Sequence, residues 1–463
     1  MGAGVSGWRL ARAVSRSGQL GVVSGTALDL ILVRRLQLGD AGGHVRRALA
    51  AFPLPEVAAR IQEEFFIPGG KDPRAPFKAK SMVGHDPSRR AVELLVVAAF
   101  VEVHLAREGH DGLVGINLLE KIQTPNLPTL HGAMLASVDV VTIGAGVPLD
   151  TTGVLEAFAT GRPATVDLHL PVTETGPPTQ LTFDPAEFHD GAPPRLKRPL
   201  FLPIVSSNVL ASMMMKRCSG GIDGFVVETP TAGGHNAPPR GRIRLDDHGA
   251  PVYGRRDVVD YAAIRSLGLP FWIGGSHGSP RMLREARALG ASGIQVGTLF
   301  AFCDESGIES GLKQRVRDLS LEERLEVRTD PIASPTGFPF KVLMLPGTNA
   351  EESCYRSRER RCDLGYLRQP YRRSDGDIGW RCPADAVAAF VRKGGAAEDA
   401  IGRKCLCNGL MANIGLAQRR PDGRLERPLL TAGDDVCEIR RLMSAEEPRY
   451  SAGDVLAYLL SAE

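Results

Sequence analysis

Little in this chain of 463 residues departs from charge neutrality, since 56 Lys and Arg face 53 Asp and Glu and leave a net charge of +3. So small a balance provides no electrostatic footprint for nucleic acid or for an anionic membrane surface. No apolar run has the roughly 20 residues of a membrane helix. The longest, around residues 91–106, is interrupted by Glu93, Glu102 and His104. The opening residues read as a helix rather than a secretory leader, because Arg9, Arg12 and Arg16 break their apolar run at helical spacing. Cysteine is sparse, with 8 residues, so no disulfide framework is expected and a reducing cytoplasm is the expected compartment. Aromatics reach only 6%, whereas Gly (52) and Pro (33) are frequent among 43% hydrophobic residues. That balance suits an α/β protein with many tight turns.

Seven apolar runs of strand length recur before about residue 320, at 20–24, 113–118, 138–143, 202–206, 224–228, 271–274 and 293–297. They are apolar throughout rather than alternating, which predicts a parallel sheet covered on both faces. Amphipathic segments such as 88–108 and 258–267 lie between them, and the alternation predicts a TIM (β/α)8 barrel. Such a barrel has eight strands. Gly2-Ala3-Gly4-Val5-Ser6 reads as the loop after a first strand, and residues 9–17 as the helix that follows. The barrel is therefore expected either to lack its first strand or to fill that slot with another segment. Two insertions interrupt the repeat: 39–70, read as two helices at 45–52 and 56–66, and 163–190, read as two antiparallel strands. The expected organisation is a barrel over 1–330 and a Cys-containing C-terminal extension over 331–463, with short helices near 384–392 and 452–460.

The chemistry concentrates at strand ends. Residues 269–300 read as strand, Gly-rich turn, helix, strand and Gly-Thr turn. Ser279-Pro280 supplies an N-cap and a first helical residue. Met282, Leu283, Ala286 and Leu289 keep helical spacing, and Gly290 ends the helix. Two parallel strands joined in this way set Gly274-Gly275-Ser276 beside Gly297-Thr298, where bare backbone amides reach a phosphate. The loops after strands 7 and 8 of a TIM barrel commonly hold one. GAGVSG has neither a preceding strand nor a ribose-binding acid about 20 residues on, so it is a poor dinucleotide fingerprint. The run at 224–228 leads into Gly233-Gly234-His235, which sets an imidazole over the barrel mouth as a base or hydrogen-bond donor. Cys362, Cys382, Cys405 and Cys407 cluster in the last third. Four thiolates suit zinc or an iron–sulfur cluster, although the spacing follows no standard pattern. The alternative is a set of reduced, packed thiols.

Taken together, residues 2–25 (GAGVSGWRLARAVSRSGQLGVVSG), GINLLEK at 115–121, the Gly-Gly-His turn and GIQVGTLF at 293–300 resemble the nitronate monooxygenase family, formerly the 2-nitropropane dioxygenases. That family is similar in turn to the flavin-dependent enoyl-acyl-carrier-protein reductases. The resemblance covers about residues 1–305 and implies an FMN-binding TIM barrel. It implies phosphate contacts at Gly274, Gly275, Ser276, Gly297 and Thr298, flavin contacts at Gly4 and Asn117, and a catalytic His235 carried on Gly233 and Gly234. Thr231 stands where family members often have Glu. The implied activity is oxidation of alkyl nitronates with O2 to a carbonyl compound and nitrite. The alternatives are an NAD(P)H-dependent enoyl-thioester reductase and a non-catalytic, FMN-binding partner of a synthase. The expected partner is a small-molecule substrate, with a homo-oligomer or a synthase as further expectations.

Overall fold

All seven apolar runs form strands in the computed structural model, which describes residues 2–171 and 176–461. They are β1 (Gly21–Ser24), β2 (Val114–Leu119) and β3 (Val140–Gly144), then β6 (Leu200–Val205), β7 (Phe225–Glu228), β8 (Phe271–Gly274) and β9 (Gly293–Gln295). Between β3 and β6, β4 (Ala164–Asp167) pairs antiparallel with β5 (Gln180–Phe183). This is the hairpin expected of the second insertion, whose residues 172–175 lie outside the described ones. The main sheet runs β1-β2-β3-β6-β7-β8-β9 with every neighbouring pair parallel. Parallel neighbours require helical crossovers, which cover the sheet and explain the continuous apolar runs.

Val140, Leu202 and Val226 pack with Trp272 on the inner face. Gly21 and Val22 of β1 line the same cavity as Gly293 and Ile294 of β9, so the sheet curls back on itself. The result is a TIM-barrel-like α/β fold with seven strands among the described residues, in which β1 and β9 are not hydrogen-bonded to each other. The C-terminal helix Ala452–Leu460 packs against helices Trp8–Arg16 and Pro280–Ala288, and its Leu456 and Leu459 also line the cavity. The C-terminal region thus supplies part of the barrel wall.

The charges that broke the longest apolar run have structural partners. They lie on helix Arg89–Arg107, which starts at Ser88, whose side chain accepts from the Ala91 amide. Buried Glu93 pairs with Arg60 of the inserted helix Pro55–Phe65 at 2.6 Å. Buried Glu102 takes the Trp8 amide at 2.7 Å and the Arg35 guanidinium at 2.7 Å. No helix among the described residues is long and apolar enough to cross a membrane. One expected helix is shorter than its sequence pattern. Instead of 258–267, only Tyr261–Arg265 is helical, because Asp260 caps it late and Gly268 stops it at φ +76°.

Two further hairpins follow the barrel. β10 (Val327–Asp330) pairs antiparallel with β11 (Phe340–Leu343), and β12 (Gln369–Arg372) with β13 (Ile378–Arg381). The β10–β11 hairpin spans the composition shift at Asp330.

One packing detail predicts a pH dependence. His131 is fully buried among Phe158, Phe183 and Phe188, and its Nε2 lies 3.2 Å from Nε2 of half-buried His189. Burial pushes the pKa of His131 down to about 3 and that of His189 in the same direction. The folded state therefore favours neutral imidazoles, and stability is full above the unfolded pKa near 6.5. It is lost as pH falls, by about 2 kcal/mol for His131 alone at pH 5. The melting temperature should drop between pH 7 and pH 5, and His131→Phe should flatten that dependence. A slope unchanged in the variant would assign the loss to other groups.

Candidate active site

The phosphate-type turns form as their sequences predict. After β8 the chain passes through Gly275 at φ +92° and Ser276 at φ +48° before Ser279 caps helix Pro280–Ala288 by accepting from the Met282 amide at 3.3 Å. A side chain at Gly275 would put its Cβ 2.3 Å from Thr229 Oγ1, so glycine is needed for close packing as well as for φ. Among the described residues the amides of Ser276 and His277 have no acceptor, which leaves two adjacent donors at the end of β8. After β9 comes Gly297, with φ −118° and nothing within 4 Å of an added Cβ. The position opens directly into the cavity.

A loop from the far end of the chain ties these turns together. The Gly234 amide donates to Thr431 Oγ1 at 2.7 Å, and the Gly433 amide to Thr298 Oγ1 at 3.0 Å. The Asp434 amide donates to the Thr231 carbonyl at 3.0 Å. Gly233 packs so closely on Ala432 that an added Cβ would lie 2.8 Å from its carbonyl carbon. Residues 431–435 thus fix the turns after β7, β8 and β9 relative to one another. Sequence reasoning passed over this loop. Its signal was Thr431-Ala432-Gly433-Asp434, which nearly recurs as Ser451-Ala452-Gly453-Asp454, where Ser451 and Asp454 form a capping box.

The cavity beneath measures about 450 Å³, which is within the range of small-molecule and cofactor sites. Its mouth carries His235 and Glu228 on the β7 side and Asn117 at the end of β2, with apolar Leu119, Ile122, Phe340 and Leu410 around them. Asn117 Nδ2 donates to Thr142 Oγ1 at 2.9 Å, which leaves its carbonyl oxygen available. His235 Nε2 lies 2.7 Å from Ser334 Oγ, its ring is 4.8 Å from that of Phe340, and its backbone bridges to Phe340. Burial pushes its pKa well below the ordinary value, and the nearby Lys121 charge pushes in the same direction, so the imidazole is neutral.

Asn117, Gly233, Gly234, His235, Gly275, Ser276, Gly297 and Thr298 all line this one cavity. Gly4 and Gly274 do not. Gly4, at φ +67°, packs against Ile31 and Ile414, and Gly274 is still within β8 facing Gln295.

The metal expectation for Cys362, Cys382, Cys405 and Cys407 is corrected. No group of three or more His, Cys, Asp or Glu among the described residues is placed to hold a metal ion. Cys362 and Cys382 hydrogen-bond to each other and form a small cluster with Cys405 and Ala384. Cys405 Sγ accepts from Asn408 at 3.4 Å. Cys407 joins these three thiols around one small pocket and also reaches the wall of the central cavity beside Tyr366. Burial raises the pKa of both Cys405 and Cys407, which favours the thiol over the thiolate that a metal needs.

Neither the models of protein families nor the curated proteins include one that matches this chain. Among solved structures it is similar to FabK from Thermotoga maritima, with a TM-score of 0.48 and 16% identity over 99% of this chain and 89% of that one. It is also similar to a nitroalkane oxidase from Streptomyces ansochromogenes, with a TM-score of 0.47 and 16% identity over 100% and 93%. A third similarity is to the enoyl reductase domain of MlnA from the macrolactin biosynthesis cluster of Bacillus amyloliquefaciens, with a TM-score of 0.49 and 10% identity over 100% and 92%.

Proposed function

We propose that this protein is an FMN-dependent oxidoreductase that oxidises alkyl nitronates with O2 to a carbonyl compound and nitrite. The observation that carries the reading is the pair of turns at the ends of β8 and β9. One offers the free amides of Ser276 and His277, and the other leaves open space at Gly297 where any side chain would intrude. Both open on one cavity at the C-terminal end of a parallel barrel. This cradle fits the phosphate of a mononucleotide, with Ser276, Gly297 and Thr298 holding it and Asn117 facing the ring system. When bound, FMN supplies the redox chemistry.

The chain's own residues orient and enclose the substrate. His235 presents a neutral imidazole to the nitro oxygens, and Leu119, Ile122, Phe340 and Leu410 exclude water and take the alkyl group. Arg287 is the one Lys or Arg among the described cavity-lining residues, and it lies at the other end of the barrel, beside Ser292 and Gly293. A mouth without such cations suits a small monoanion better than the phosphates of NAD(P)H or of a carrier-bound thioester.

Stopped-flow absorbance of the flavin under anaerobic conditions tests this. Bleaching by ethyl nitronate, with none by NADH or NADPH, is the expected result. Rapid bleaching by either dinucleotide would replace the reading with an enoyl-thioester reductase, and no response to any of the three would favour a binding role.

A further inference from the structure

We propose that Ser334 is a positioning residue of this site, whose hydroxyl donates to His235 Nε2 and fixes the imidazole as its Nδ1–H tautomer, so that the ring offers a ligand a hydrogen-bond donor. The proposal rests on the nitronate reading above and deepens it by naming the group that decides what the imidazole can bind.

Three observations carry it. First, the ring has to choose between two forms. Burial disfavours its charged form, so one nitrogen carries a proton and the other a lone pair. Nε2 lies 2.7 Å from Ser334 Oγ, whereas Nδ1 has no hydrogen-bond partner among the described residues. In a residue that lines the cavity, Nδ1 is therefore the nitrogen left for a ligand. The partner at Nε2 decides whether that nitrogen donates or accepts.

Second, the groups around Ser334 set the direction of its hydroxyl. The residue is fully buried, and its Oγ takes the Thr336 amide at 3.3 Å and lies 2.9 Å from Thr336 Oγ1. A hydroxyl has one hydrogen and two lone pairs. When the Thr336 hydroxyl also donates, both lone pairs of Ser334 are filled and its hydrogen goes to Nε2. Each hydroxyl hydrogen then has an acceptor. In the reverse order Nε2–H donates to Ser334 and Ser334 to Thr336, and the Thr336 hydrogen finds no acceptor among the described residues. That order would also leave a lone pair at Nδ1. A nitronate oxygen only accepts hydrogen bonds, so a fixed Nδ1–H favours it and the other tautomer opposes it.

Third, Ser334 is held through its backbone surroundings. It lies in the loop between β10 and β11, beyond the part of the chain that carries the family resemblance. Asp330 Oδ1 accepts from the Ile332 and Ala333 amides, both at 2.9 Å. Arg403 Nη1 donates to the Ser334 carbonyl at 2.6 Å, and Gln369 Nε2 to the Pro335 carbonyl at 3.0 Å. The C-terminal region thus places the hydroxyl at Nε2, and removing the hydroxyl leaves these bonds in place.

The test uses the full chain with nitrogen-15 histidine and reads the protonation of each ring nitrogen from two-bond proton–nitrogen correlation spectra. His235 is assigned by its loss in His235→Gln, and no substrate is needed. The wild type should show Nδ1–H and a bare Nε2, and Ser334→Ala should lose that preference. Turnover of ethyl nitronate should fall roughly 10–10²-fold in Ser334→Ala with FMN content unchanged. Should that variant not fold, Ser334→Cys decides by the same two readouts, because it keeps the shape and donates only weakly. A wild-type ring protonated at Nε2 overturns the proposal, and so does an Nδ1–H form that survives loss of the hydroxyl. A changed tautomer with full turnover overturns the role of the donor. Flavin bleaching by nitronate with an unmoved tautomer overturns Ser334 and spares the nitronate reading, whereas a moved tautomer in a protein that nitronate does not bleach does the reverse.

Discussion

Gly297→Val should leave the protein folded and unable to retain FMN. The residue has an ordinary backbone conformation at φ −118°, and an added Cβ meets nothing within 4 Å, so the substitution costs the fold little. The side chain it introduces fills the space beside the Thr298 amide where a phosphate would lie. Hydrogen bonds to a charged group contribute about 1.5–3 kcal/mol each, so losing two weakens binding by about 10²-fold or more. The ratio of flavin to protein after desalting, read with the melting temperature, checks this. Stoichiometric FMN in the variant would place the phosphate elsewhere. Gly275→Val would be a poorer probe. Its Cβ would strike Thr229 Oγ1 at 2.3 Å, and its φ of +92° disfavours any side chain, so flavin loss there would follow from damage to the turn.

Turnover should fall roughly 10²–10⁴-fold in His235→Ala while FMN stays bound. The ring is held on two sides, by Ser334 Oγ at 2.7 Å and by the Phe340 ring at 4.8 Å, and it is neutral because burial disfavours its charged form. A held, neutral imidazole is suited to donate a hydrogen bond to developing negative charge. The backbone bridge from residue 235 to Phe340 does not depend on the imidazole, so alanine preserves the turn. Steady-state kinetics with ethyl nitronate, together with flavin content, provide the measurement. Near-normal turnover would make His235 a loop residue whose contacts serve packing alone.

Much of the barrel was readable because its determinants are local. A continuous apolar run bounded by glycine marks a buried parallel strand, and all seven runs formed one within a few residues of the expected ends. Ser279-Pro280 and Ser88 capped helices as their residue types require. The helix expected over 258–267 shrank because periodicity said nothing about the late cap at Asp260. The candidate site was half legible. Gly275, Ser276, Gly297 and His235 announce themselves through turn chemistry at strand ends. Gly4 has the right local sequence, yet its neighbours Ile31 and Ile414 keep it off the cavity.

By itself, then, the sequence determined the parallel α/β barrel, the two Gly turns side by side and an imidazole at the mouth, because each depends on windows of a few residues. Only the tertiary structure decided that residues 431–435 clamp three turns more than 130 positions earlier, that the four thiols of the last third are buried around one small pocket, and that the charges of Lys121 and Glu228 reach each other. These are meetings of distant segments. Whether a thiol ligates or an imidazole stays neutral depends on burial and on which charge lies nearby, and both follow from the path of the whole chain.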